Sequence, residues 1–160
     1  MGAQATRLAL IAAACVVLAT LPMPVLGAQA SLDDPERCAL SRYVVVGRVA
    51  GIDTVWAAAP ESGLERRVQF VVERQWKGPR VQWLEITLPG GDDGVWTHRV
   101  EDVPDLTTTD RWGLFLMSTA RGLEVVGGGS GAVPIAETAD WGAGVPERAF
   151  RARAAVCGAR

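Results

Sequence analysis

The sequence predicts a mainly β domain, a closed barrel or sandwich with one C-terminal helix, behind a cleaved signal peptide. Three observations predict it. A long apolar run is confined to the first thirty residues, apolar side chains alternate with period two through the middle, and an i, i+4, i+7 apolar set stands near the end.

The amino terminus comes first. Met1–Arg7 is polar with one positive charge, and Leu8–Leu21 is apolar except at Thr20. Pro22 and Pro24 interrupt the run before Ala28-Gln29-Ala30. A basic start, a short apolar stretch and an A-x-A site are the parts of a secretory signal. The run is shorter than the ~20 residues a membrane-spanning helix needs. Cleavage after Ala30 is expected, with Ser31 the new terminus and 31–160 a single domain; cleavage after Ala28 is the neighbouring alternative. A lipoprotein rival centres on Cys15, but apolar residues follow that cysteine where a polar tether is required. The expected destination is outside the cytoplasm, whether periplasm, cell surface or medium, with no stable membrane insertion after cleavage.

The portion after Ala30 holds all eighteen acidic residues and fifteen of the sixteen basic ones, a net charge of −3. No basic block exists to neutralise phosphates, which excludes a nucleic-acid partner. Its two cysteines, Cys38 and Cys157, form an even count in an oxidising compartment, which suggests a bridge. Two buried free thiols are the alternative. With His98 the sole histidine, no four-ligand zinc shell is available, and no metal or cofactor is expected.

Six strands follow from the alternation. Arg42–Val49 is β-branched and too short for a stable helix. In Val68–Trp76, Val68, Phe70, Val72 and Trp76 share one face, and Lys77-Gly78-Pro79 turns the chain. Leu84, Ile86 and Leu88 form one face of Val81–Leu88, with Pro89-Gly90-Gly91 ending it. Val95–Val103 is a further strand with weaker alternation. Trp112–Ser118 is a buried strand, and Leu123–Val126 a short one after the turn at Arg121-Gly122. Gly127 to Val145 is Gly-rich and is expected to be a long irregular loop. A helix over about 145–158 is predicted by Pro146 in the first turn, Glu147 at its positive end and Gly158 as a stop. Phe150, Ala154 and Cys157 fall on one face of it, which turns Cys157 towards the sheet, as a bridge to Cys38 requires.

Three segments carry a resemblance. Arg42-Tyr43-Val44-Val45-Val46-Gly47-Arg48-Val49, Phe70-Val71-Val72-Glu73-Arg74-Gln75-Trp76-Lys77-Gly78 and Asp110-Arg111-Trp112-Gly113-Leu114-Phe115-Leu116 stand in this order. Together they resemble strands of tissue-inhibitor-of-metalloproteinases and netrin-like domains, and of small bacterial exported proteins of that style. The resemblance covers roughly Cys38 to Val126. It implies an OB-like barrel of five or six strands with a C-terminal helix packed on it. Inhibitors of that family chelate a protease zinc through a cysteine at the mature terminus, whereas here the expected terminus is Ser31. The resemblance therefore implies a fold and leaves a netrin-like protease inhibitor as an alternative function.

No stretch completes a catalytic site. Asp92 and Asp93 among Gly90, Gly91 and Gly94 lack full calcium-loop spacing and read as a turn. His98 with Ser118 or Ser130 would make a hydrolase, the remaining alternative, but Gly129-Ser130-Gly131 is no nucleophile elbow. Gly127-Gly128-Gly129-Ser130-Gly131 lacks the lysine of a phosphate loop. What stands out is the tryptophan content: Trp56, Trp76, Trp83, Trp96, Trp112 and Trp141. Trp83 shares a strand face with Glu85 and Thr87, which turns its ring to solvent, and exposed aromatics on a sheet form binding surfaces; the alternative, which the size of the rings favours, is that the tryptophans pack and cap the core of a small barrel. The expected function is an exported, non-enzymatic binding domain for a protein or carbohydrate. Its expected contacts are Trp83 and Trp96, with Gly127, Gly128 and Gly129 as a mobile rim.

Overall fold

A computed structural model of the chain describes residues 32–58, 63–136 and 144–158. The expected signal peptide, its cleavage site and Trp141 lie outside the described residues. The chain begins with α1 (Asp34–Leu40), followed by β1 (Tyr43–Trp56), β2 (Leu64–Lys77), β3 (Trp83–Pro89), β4 (Gly91–Asp92) and β5 (Thr97–His98). Then come β6 (Arg111–Thr119), β7 (Gly122–Val125), a 3-10 turn at Gly128–Gly131, β8 (Ala132–Ala136) and β9 (Val145–Pro146). Helix α2 (Glu147–Ala155) and a last 3-10 turn (Val156–Gly158) end the described chain.

The protein is mainly β. Seven strands form one sheet in the order β1-β2-β3-β7-β6-β8-β9, and β1 also pairs with β6, so β1, β2, β3, β7 and β6 close into a ring. All neighbouring pairs in the ring are antiparallel except β3 with β7, which meet in parallel at Ile86 and Leu123. Strand β1 reaches both partners because its pairing with β2 shifts register at three places between Val44 and Gly51. Such bulges bend a strand and increase its twist. Gly47 lies at one shift, where a Cβ would collide with the Val71 carbonyl and the Phe70 ring.

Burial explains why the alternation is clean in some strands and absent in others. Tyr43, Val45, Val49, Val68, Phe70, Leu84, Ile86, Leu88, Leu114 and Leu116 fill the inside of the ring. Val44, Val46, Phe115, Val133 and Ile135 form a second core outside it, under Cys38 of α1 and Phe150 and Ala154 of α2. The run Val44-Val45-Val46 is fully buried because alternate side chains enter different cores. On β2 and β3 the outer face is largely solvated, and polar residues take most of its positions, with Val71 and Trp83 the exposed apolar exceptions.

Several expectations are corrected. Helix α1 was not among the expected elements, although Asp33 and Glu36 form a reciprocal capping box with a proline in the first turn. The expected strand Val95–Val103 is reduced to Thr97–His98, paired only with Gly91–Asp92. Its weak alternation reflects exposure from Val95 to Asp102, with only Val103 packed against the inner core. Gly127–Val145 is not one long loop, since Ala132–Ala136 pairs antiparallel with β6. The C-terminal helix begins at Glu147, with Pro146 as its N-cap and still paired in β9. The Cys38–Cys157 bridge is present, with Cα atoms 5.1 Å apart, and it ties α1 to the final turn.

Candidate binding surface

Five of the six tryptophans are described, and they divide by role. Trp112 is buried inside the ring, and Trp76 packs edge-on against Phe150 with ring centroids 5.6 Å apart. Trp56, Trp83 and Trp96 are 55%, 66% and 64% exposed. Rings of that size are normally buried, so three left in solvent on a domain this small mark a surface.

Trp83 opens β3 and stands opposite Val71 of β2, which is itself exposed. This places Trp83 on the outer face of the sheet, as its neighbours Glu85 and Thr87 suggest. Beside it lies an ion network. Arg111 donates to Glu73 at 2.6 Å and to Glu147 at 3.2 Å, Arg48 donates to Glu73 at 3.1 Å, and Arg74 pairs with Glu147 at 2.8 Å. Burial works against the Arg111 charge, but hydrogen bonds to Glu73 and Glu147 outweigh it and raise its pKa. The network fastens α2 to the sheet and gives the Trp83 face a rigid polar border.

Trp96 occupies the turn between β4 and β5, beyond the far end of β3. The length of β3, about 20 Å at ~3.3 Å per residue, separates its backbone from that of Trp83. Its company is instead Trp56 at the end of β1 and Val95, both exposed. Gly91 packs where a Cβ would meet Thr54 and Arg66, which sets this small hairpin against the β1–β2 ribbon. The turn is held from within. Asp92 accepts from the Gly94 amide at 2.7 Å and the Thr97 hydroxyl at 2.8 Å, while Asp93 accepts from the amides of Trp96 at 2.7 Å and Val95 at 2.9 Å. The Gly94 amide, then the Thr97 hydroxyl, lower the pKa of Asp92. The amides of Trp96 and Val95 do the same for Asp93, with the Trp56 indole a smaller contributor. The carboxylates therefore serve as turn anchors that hold Val95 and Trp96 outward. Among the described residues, no three His, Cys, Asp or Glu side chains gather as metal ligands.

The remaining expected residues fall elsewhere. Gly127 and Gly128 adopt left-handed φ of 66° and 58°, and the Gly129 amide donates to the Asp102 carbonyl at 2.7 Å. A Cβ on Gly128 would meet the Asp102 carboxylate, so this segment is a tight turn locked onto the 98–110 connection. His98 is exposed and lies against Gly63. Ser118 is engaged by Arg42, and Ser130 donates to the Gly127 carbonyl, so neither hydroxyl is bonded to His98.

Trp56 and Val95 are the surface residues that sequence reasoning did not select. Trp56 carries the one readable signal, an aromatic at the end of a strand whose apolar partners have run out. No protein-family model matches the chain, and no curated protein matches it. Function therefore rests on the geometry of this surface.

Proposed function

We propose that the chain is an exported, non-enzymatic domain of OB-like barrel architecture that binds a protein or a carbohydrate through its exposed tryptophans. The observation that carries this reading is the exposure of Trp56, Trp83 and Trp96, each more than half open to solvent. A five-stranded ring closed by one parallel pair supports the OB-like architecture. A bridged cysteine pair is compatible with an oxidising compartment and so with export. Indole rings contribute flat apolar area with one N–H donor, which suits both sugar faces and peptide side chains. The netrin-like inhibitor alternative is weaker. A zinc-chelating inhibitor needs a terminal cysteine, and Cys38 is buried inside α1 and bonded to Cys157.

The test is a pair of arrays, one of glycans and one of peptides, probed with the labelled chain and with Trp83→Ala and Trp96→Ala. Specific binding to one class, lost in at least one variant, is the expected result. Binding that survives both substitutions unchanged, or a chain that recognises neither class, would overturn the reading.

A further inference from the structure

A concave surface lies beside the Trp83 end of β3, away from Trp56 and Trp96. The end of β2, the turn that follows it and α2 enclose a groove of about 930 Å³. That is within the range of about 300–1,000 Å³ usual for small-molecule sites. Four cationic side chains line it, Arg74, Lys77, Arg80 and Arg151, against one carboxylate, Glu73. Glu73 is already claimed by Arg48 and Arg111, neither of which lines the groove. Arg74 is offset by Glu147. Lys77 donates to the Cys38 carbonyl at 2.5 Å, an uncharged acceptor that leaves its charge uncompensated. Arg80 and Arg151 have no ion-pair partner among the described residues. Three cations without a carboxylate partner among the described residues thus line one depression on a chain whose net charge is −2. A concave wall of low dielectric focuses such a field.

The turn that presents these cations is built to stay in place. Gln75 Nε2 donates to the carbonyls of Gly78 at 2.8 Å and Pro79 at 2.7 Å, and its Oε1 accepts from the Val81 amide at 3.3 Å. Gly78, at φ 97°, sits against the Arg42 carbonyl and the Tyr43 ring, where no side chain would fit. The backbone that carries Lys77 and Arg80 is therefore set before any ligand arrives, which lowers the ordering cost of binding.

We infer that this groove binds a compact polyanion, several phosphate or sulfate groups carried on a small hydrophilic frame. Guanidinium forks match the oxygens of either group bidentately, and an ammonium between them adds a point charge. Three cations from two elements and the turn between strands match several anionic groups better than one, so multiple charge is the recognised feature. This site borders Trp83 but draws on no tryptophan for its charge recognition, so either reading can fail without the other.

Calorimetric titration of the intact chain at low ionic strength tests it with two probes, inorganic tripolyphosphate and sucrose octasulfate. At least one should bind, weaken steeply with added salt, and outcompete orthophosphate. The arm that binds more tightly identifies phosphate or sulfate as the ligand chemistry. Arg80 and Arg151 are exposed and make no hydrogen bond or ion pair among the described residues, so Arg80→Ala/Arg151→Ala should keep the wild-type melting temperature while affinity falls at least about tenfold. Arg80→Glu should weaken binding far more than Arg99→Glu, an equal charge change outside the groove. Binding of neither probe, or equal losses in the two charge reversals, would overturn the proposal.

Discussion

Asp34 shows how a single side chain joins distant parts of the chain. It accepts from Arg153 of α2 at 2.9 Å and from Arg37 of its own helix at 2.7 Å, and both guanidinium groups lie over the Phe115 ring. The Arg153 hydrogen bond is the main cause that lowers the Asp34 pKa below its ordinary 3.8, with burial opposing and the Arg37 charge assisting. A carboxylate with a depressed folded pKa stabilises the fold above its unfolded value, and loses that contribution as pH falls through the folded value. Asp34→Asn should therefore cost about 1–2 kcal/mol at neutral pH, because hydrogen bonds to charged groups are lost while part of the site remains solvated. The gap between wild type and variant in urea midpoint should shrink once pH drops below 3.8. A gap that persists unchanged in acid would assign the effect to something other than charge. At this scale the sequence was unevenly legible. Cys38 and Cys157 could be paired because only two cysteines remain after the expected cleavage. Asp34 and Arg153 could not, since eighteen acidic and sixteen basic residues admit no unique matching. The Asp33–Glu36 capping box was fully legible as Asp-Asp-Pro-Glu, but it opens a helix of seven residues, too short to leave a periodic pattern.

Helix α2 is held to the sheet by shape. The Phe150 ring lies directly over Gly113 of β6, where a Cβ would stand 2.5 Å from two of its ring atoms. It also packs on Phe115 at 5.4 Å between centroids. Gly113→Ala should therefore push the helix outward at a cost of about 1–3 kcal/mol, the usual range for overpacking. Because Trp76 is edge-on to the same ring, its emission should shift in the variant. In a Phe150→Ala background the alanine at 113 should cost far less, and a double-mutant cycle measures that coupling. Full additivity would mean that ring and glycine do not share the site. The central strands were legible because their inner faces alternate against a solvated outer one. Strand β8 was not, because Ala132-Val133-Pro134-Ile135-Ala136 follows a glycine run and carries a proline. Pro134 is tolerated at a position facing Trp112 of β6, and Val133 and Ile135 supply the burial that makes the strand. The exposed Trp83 followed from its strand face. Trp56 did not, since its exposure depends on a hairpin more than thirty residues later.

At the scale of the molecule, the helix layer over the ring is closed on itself by one covalent link, which joins α1 to the last turn across 119 residues of chain. A closed barrel or a sandwich was the choice open from the strands alone. Closure depends on β1 changing partners through its bulges and on a single parallel contact at Ile86, neither of which leaves a periodic trace. The bridge lies outside that closure, since Cys38 belongs to the outer core with Phe115 and Phe150. Its contribution is therefore expected to come from restricting the unfolded chain, by up to about 4–5 kcal/mol for a loop of this length. Cys38→Ala/Cys157→Ala should lower the guanidinium midpoint accordingly, and wild type reduced with a thiol should match it. The inside of the ring holds its own apolar core, so slow amide exchange at the centre of β1 and β2 should survive the loss of the bridge. Exchange at α1 and the last turn should accelerate, because their mutual contact is what the cysteines secure. If protection collapsed evenly across ring and helices, the two cores would be one cooperative unit, and the bridge would support the ring as much as the layer that covers it.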